Sequence, residues 1–391
     1  MVFLGQSNTR AGFFENAKRV FFGIDWWLLG SAVLLSLAGL VTMHSLSDQF
    51  SFFNRQVIWI PLGLIVAMVC SMIDWRFLRR TNAVMIIYVA TIVLLCLLFL
   101  AGSIFNGAKS WFSFGAFSFQ PSDPAKLALI ILLAKYFSRR HVAIKDFQHI
   151  IVSGVYTFIL ALLVLIQPDF GAAIILFGIW AGMLLVSGIS RRHIILVFTV
   201  SLLVFSLLWG FVFKTYQKQR ILTFISPMSD IRGAGYNAYQ SVIAVGSGQV
   251  LGKGVGYGTQ SKLKFLPEYQ TDFIFAAFAE EWGIVGSVIF IGLFAIVLWR
   301  VGLHSYRAAT NFEALFSLGI AIYLFIHAVI HVGMNIGLLP VTGTPMPFAS
   351  YGGSHLITEF AALGIVISMA SFSRATHREK LNPDDSYVLS S

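Results

Sequence analysis

Apolar runs separated by short polar breaks occupy residues 25–46, 55–73, 81–101, 121–137, 147–167, 171–189, 194–213, 273–299, 313–338 and 355–372. Most of these ten runs approach the ~20 residues a helix needs to cross a bilayer. The pattern predicts an all-α, polytopic membrane protein with ten transmembrane helices. The fourth run is short and polar at its start; the eighth and ninth are long enough to tilt. A long polar stretch, 214–272, separates runs seven and eight and reads as one extended loop. No strand-type alternation, coiled-coil heptad, low-complexity tract or internal repeat breaks the pattern. Three parts follow: an N-terminal segment 1–24, a ten-helix domain 25–372, and a polar tail 373–391 expected to be disordered. The first run follows Lys18 and Arg19 with no small-residue cleavage pattern behind it. It is expected to stay as an anchor.

Composition sharpens this class. The chain is 57% hydrophobic and 11% charged, against about 25% charged residues in soluble domains. Cys70 and Cys96 both lie inside apolar runs and cannot form a disulfide framework. Of the 27 Lys and Arg, 16 fall in the segments on one side of the predicted bundle. Nine fall on the other, seven of them within 214–272. Short basic loops face the cytoplasm. Both termini are therefore expected inside and loop 214–272 outside. The net charge of +10 then reads as contact with anionic inner-leaflet lipid, not nucleic acid.

Most unusual residues fall on the exterior side. Glu268, Asp272, Glu280 and Glu281 crowd the segment 265–283 of a chain otherwise poor in acid. An ionisable group at membrane depth is costly and points to function. Asp272 sits where loop becomes helix, so it is either a functional carboxylate or an N-cap. Glu280 and Glu281 lie two turns deeper, where hydrogen bonding within the bundle is the plainer role. In Gln120-Pro121-Ser122-Asp123-Pro124-Ala125-Lys126, Ser122 is the expected N-cap. Asp123 and Lys126 are three apart and share a helix face. Lys126 either snorkels to the headgroups or forms, beside Asp123, a cationic site for phosphate. Lys135, at the other end of the run, reads as a snorkeler. Lys109 beside Trp111, and Arg55 beside Gln56, are interface anchors or further cations for an anionic headgroup.

Three more exterior segments stand out. Residues 246–260 hold six glycines, which permit close backbone approach to a ligand or simply tight packing. The run ends at Gln260 and lacks the features of a Walker loop. Asp169 lies in the turn Gln167-Pro168-Asp169-Phe170-Gly171. Loop 339–354, rich in Pro and Gly and ending in Ser350-Tyr351-Gly352-Gly353-Ser354, is expected to be ordered or re-entrant, since irregular backbone at that depth must be buried or line a cavity. His327 and His331 are one turn apart. That spacing suits a metal, but no third ligand follows, so polar contacts between helices are favoured.

Taken in order, Gly107-Ala108-Lys109, Gln120 to Lys126, Gln167 to Gly171, Phe265-Leu266-Pro267-Glu268, Thr271-Asp272-Phe273-Ile274-Phe275, Glu280-Glu281 and Ser350 to Ser354 resemble the SEDS family of shape, elongation, division and sporulation proteins (RodA and FtsW). The likeness spans all ten runs, and the short N-terminus is more like that of RodA. The resemblance implies an inverting glycosyltransferase that polymerises lipid II into peptidoglycan at the outer face of the bacterial cytoplasmic membrane. It implies as partners a class B penicillin-binding transpeptidase and other elongation-complex membrane proteins. By position, the family's essential acid falls on Asp272 and its acid–lysine pair on Asp123 and Lys126. The family usually has Glu where this chain has Asp123, and that side chain reaches less far. Asp272 would accept the proton of the attacking hydroxyl; its alternative role is to hold a divalent cation, magnesium or manganese, bridging the pyrophosphate. Lys126, Lys109 and Arg55 would meet the leaving group, with Gln120, Glu268, Gln260, Ser350, Gly352 and Ser354 around the substrate and Glu280, Glu281 and Asp169 in support.

Two other classes remain open on these residues. A lipid II flippase would carry charges near the midplane of both halves, whereas here they crowd one side. A non-catalytic scaffold of a wall-synthesis complex would tolerate replacement of Asp272.

Overall fold

A computed structural model describes residues 24–46, 51–80, 82–105, 108–115, 117–139, 147–212, 215–225, 234–263 and 265–381. Every predicted apolar run carries a helix. They are α1 (Trp26–Leu46), α2 (Ser51–Met72), α4 (Ala83–Ala101), α5 (Ser122–Ser138), α6 (Phe147–Ile166), α7 (Phe170–Val186), α8 (Arg191–Leu207), α12 (Ile274–Tyr306), α13 (Asn311–Asn335) and α14 (Gly353–Leu381). Among the described residues, seven helices are long and apolar enough to cross a membrane. The protein is an all-α polytopic membrane protein. A short helix α3 (Phe77–Arg80) links α2 to α4, and a π-turn at Leu208–Val212 extends α8.

The shortness of the fourth run has a structural reason. Thirteen of the 17 residues of α5 are buried, on every side of the helix. A helix apolar all round belongs in the middle of a bundle, and α4, α6, α7, α13 and α14 pack around it. Two pairings hold the rest together: α14 lies along α2, and α12 lies along α1 and α13. The core is continuous and rich in Leu, Ile and Phe from all these helices.

Three expectations need correction. Segment 102–120, a break between runs three and four in which no strand-type alternation was expected, does hold strands. It forms a three-stranded antiparallel sheet of β1 (Ser103–Phe105), β2 (Ala108–Phe114) and β3 (Phe117–Phe119), in the order β1-β2-β3. The register pairs Phe112 with Phe119 and Phe114 with Phe117 about a turn at Gly115; Phe112 and Phe119 form an aromatic cross-strand pair, a favourable arrangement. Segment 214–272 is not one featureless loop. It holds α9 (Thr215–Ile225), α10 (Ala234–Ser247) and the single turn α11 (Thr259–Lys262). Ala244 of α10, Leu266, Phe273 and Ala276 make a second small core beneath it. The tail is not wholly irregular either, since α14 runs on to Leu381. Segment 1–23 and residues 382–391 lie outside the described residues.

Candidate active site

The first turn of α5 carries the acid–lysine pair. Pro121 holds the cap position with no side-chain cap. Ser122 is therefore not the N-cap expected of it; its hydroxyl donates to Asp169 Oδ2 at 3.4 Å. Asp123 and Lys126, one turn apart, meet at 3.0 Å between Oδ1 and Nζ, and both are almost fully buried. Lys126 is thus inside the bundle and does not snorkel. The pair closes although the acid is Asp, so the shorter side chain suffices for contact. Lys135 is also largely buried.

Two residues the sequence reading missed complete this cluster. His355 Nδ1 lies 3.3 Å from the same Asp123 Oδ1. Its Nε2 lies 2.9 Å from Glu359 Oε1. The other oxygen of Glu359 accepts the Phe348 N–H at 2.8 Å. His327 stacks on the His355 ring with centroids 5.1 Å apart, and Tyr323 packs edge-on to His327. The available signal was that His355 and Glu359, one turn apart, are the only ionisable residues of the tenth run.

Asp169 anchors the neighbouring corner. Its Oδ1 accepts the Ala172 N–H at 3.0 Å and caps α7. Its Oδ2 accepts from the Gln120 amide at 2.9 Å. Ser354 Oγ in turn accepts the Gln120 N–H at 3.2 Å. Loop 339–354 is ordered, as expected, and it reaches the other half of the site. Ser350 Oγ donates to the Thr271 carbonyl at 2.6 Å, and the Tyr351 N–H donates to the Gln270 carbonyl at 2.8 Å. The Gly352 carbonyl accepts from Leu356 in the first turn of α14.

Asp272 does not cap α12. The cap position is Phe273, with no side-chain cap, and Asp272 sits half-buried in the turn before it. The backbone of Asp272 is gripped from both sides. Its N–H donates to the Glu268 carbonyl at 3.0 Å. Its carbonyl accepts from Asn335 Nδ2 at 3.1 Å. Asn335 Oδ1 accepts the Ala276 N–H at 3.0 Å, satisfying an orphan donor of the first helical turn. Asn335, at the end of α13, was not singled out in the sequence; its partners lie about sixty residues away. Glu268 is exposed and helps form the turn, with φ +50°.

The glycine-rich run binds carboxylates of this chain. Glu280 Oε1 accepts from Lys253 Nζ at 2.7 Å, the Gln260 N–H at 3.0 Å and Thr259 Oγ1 at 3.2 Å. Glu281 Oε1 accepts from Ser45 Oγ at 2.5 Å and the Gly256 N–H at 2.7 Å. Glycine is required at the closest point. Gly252 has φ +83°, and a Cβ there would lie 2.1 Å from the Glu281 carbonyl oxygen. Opposite it, Gly283 breaks α12 with φ +65° and ψ −162°. Of the two readings of these glycines, tight packing is the one seen. Glu280, Glu281 and Gln260 hold this loop to α12.

The structure thus gathers Gln120, Asp123, Lys126, Asp169 and Ser354, and loop 339–354 ties them, through Ser350 on Thr271, to the segment bearing Asp272. Arg55 is exposed near the start of α2, next to Gln56, whose amide donates to the Ser350 carbonyl at 3.3 Å. Lys109 lies on β2; its side chain lies outside the described residues, as do Asn106 and Gly107. Among the described residues, no group of three or more His, Cys, Asp or Glu is arranged to hold a metal ion. His331 Nδ1 faces the Thr344 carbonyl at 2.8 Å, a polar contact to loop 339–354 rather than the contact between helices that was expected.

Comparison with known proteins fits this arrangement. The family model described as "Cell cycle protein", covering FtsW, RodA and SpoVE, matches residues 18–375. Peptidoglycan glycosyltransferase MrdB of Escherichia coli is 36% identical over 355 residues, covering 91% of this chain and 94% of its own length. Stage V sporulation protein E of Bacillus subtilis is 33% identical, covering 90% of this chain and 98% of its own. Among solved structures, a peptidoglycan synthase complex that coordinates polymerization and crosslinking contains a chain with TM-score 0.77 and 29% identity, covering 89% of this chain and 98% of that one. Rod shape determining protein RodA of Thermus thermophilus gives TM-score 0.68 and 28% identity, covering 89% and 97%. The chain belongs to the FtsW/RodA/SpoVE family.

Proposed function

We propose that this protein is a peptidoglycan glycosyltransferase that polymerises lipid II, in a RodA-like role in elongation or shape. The observation that carries the reading is a buried cation, Lys126, joined by one ordered loop to a carboxylate on a clamped backbone, Asp272. Cation and carboxylate are the two groups this reaction needs. The 4-hydroxyl of the acceptor GlcNAc attacks C1 of the donor MurNAc. The bond from C1 to the pyrophosphate oxygen breaks, and the configuration inverts. Inversion takes one displacement, so one base suffices and no covalent sugar–enzyme intermediate forms. Asp272 accepts the hydroxyl proton. Lys126 meets the charge that builds on the departing undecaprenyl pyrophosphate. The low dielectric around Lys126 makes that interaction far stronger than it would be in water.

The described residues offer no ready cage for a divalent cation. A magnesium or manganese ion would have Asp272 as its protein ligand and take the rest from substrate and water. No step above is routed through one. The split of basic residues supports a bacterial cytoplasmic membrane protein with both termini inside and the site on the outer face. The polymer would then be cross-linked by a class B penicillin-binding protein alongside it. The test is purified protein with lipid II, with and without such a partner, resolved on a gel. The reading expects glycan polymer; its absence under both conditions would refute it.

A further inference from the structure

Lys126 shares its counter-ion. Asp123 Oδ1 is 3.0 Å from Lys126 Nζ and 3.3 Å from His355 Nδ1. We infer that His355 is a positioning residue for Lys126, competing for Asp123 so that the ammonium keeps charge for the substrate's pyrophosphate, with Glu359 as the counter-charge of the ring. The inference rests on the glycosyltransferase reading and assigns a further part of its machinery.

The charges around the ring come first. His355 Nδ1 is hydrogen-bonded to Asp123 Oδ1 at 3.3 Å, and Nε2 lies 2.9 Å from Glu359 Oε1 without hydrogen-bond geometry. The ring thus sits between two carboxylate oxygens, and only the imidazolium carries the charge to offset both. Asp123 and Glu359 are both buried to within 1% of complete. Unpaired buried carboxylates are costly, so the arrangement calls for the cationic ring. The cluster then holds two anions and two cations and is neutral. One further carboxylate, Asp169, is within electrostatic reach of Lys126 and Asp123, but it has donors of its own. His327 stacks on His355, and Tyr323 packs on His327. Asp169 is met by the α7 N-terminus and by Gln120 and Ser122.

Without the His355 charge, Asp123 and Glu359 would have Lys126 alone. The ammonium would be drawn into the protein, and the cluster's net negative charge would repel the pyrophosphate. Glu359 has a second task. It holds the N–H of Phe348, whose φ of +63° is costly for a bulky residue. Two residues on, Ser350 grips the Thr271 carbonyl beside Asp272. One residue thus touches both the lysine site and the loop that fixes the base.

The test compares kcat/KM for polymerisation of lipid II by full-length His355→Gln, Glu359→Gln and the double variant. Glutamine at 359 still accepts from Phe348 N–H. His355→Gln leaves an unbalanced negative charge and should lose about 10²-fold, the scale of one lost electrostatic contact. Glu359→Gln leaves a positive cluster and should lose less than about threefold. The double variant is neutral again and should recover to within about threefold of wild type. A packing role predicts instead that both single variants lose activity alike and that the double is worse than either. If the double variant does not fold, the contrast between the two single variants decides. Equal losses overturn the inference. Wild-type protein that makes no polymer would overturn the glycosyltransferase reading beneath it.

Discussion

A lysine with 3% of its surface exposed needs a buried anion, and Asp123 supplies it. Removing one member of such a pair leaves the other uncompensated, which costs about 3–5 kcal/mol. A test of Lys126 must therefore avoid unfolding the protein. Here His355 remains to hold Asp123, so Lys126→Gln should still insert and fold. It should nevertheless lose about 10²–10³-fold in polymerisation rate, as expected for a donor aimed at developing charge. Lys135→Gln, at the far end of α5, should lose less than about threefold by the same measure. Polymer yield and thermal unfolding of both variants check this; equal losses would mean that α5 matters only for packing. The Asp123–Lys126 pairing was legible because both partners lie within one helical turn. His355 and Asn335 were not, because Asp123 and Asp272 lie about 230 and 60 residues away in the chain; Glu359 was not, because its partners His355 and Phe348 are local and do not themselves point to Asp123. Asp272 was found for its acidity at a helix start, and its backbone N–H and carbonyl are both held there, by Glu268 and Asn335.

At the scale of elements, the helices followed directly from apolar run length. The fourth run looked weak because a fully buried helix need not be long, and this one carries the buried Asp123–Lys126 pair in its first turn. The sheet at 103–119 escaped notice because its strands are three to seven residues long, and their alternation, Phe-Ser-Phe on each side of Gly115, is shorter than a usual strand signal. The glycine-rich run was visible, but glycine spacing alone does not name what the backbone approaches. The structure gives Glu280 and Glu281, the acids that had been set beside Asp272 as one cluster. One acidic segment is thereby divided. Glu280 and Glu281 fasten a loop, whereas Asp272 lies in the turn before α12.

For the whole molecule, the account requires one orientation, because lipid II polymerisation takes place outside. Cysteines at Ser229 and Ser390, both outside the described residues, would report it in intact cells. A membrane-impermeant thiol reagent should label Ser229→Cys alone, and labelling of Ser390→Cys would reverse the topology. The central claim is that Asp272 is the base. Asp272→Asn keeps size and hydrogen-bonding capacity but removes the charge. The most direct measurement is polymer formation from lipid II by purified Asp272→Asn beside wild type. The account predicts a fall of about 10²–10⁴-fold, with lipid II and the partner transpeptidase still bound. Near-normal polymer from that variant would contradict it.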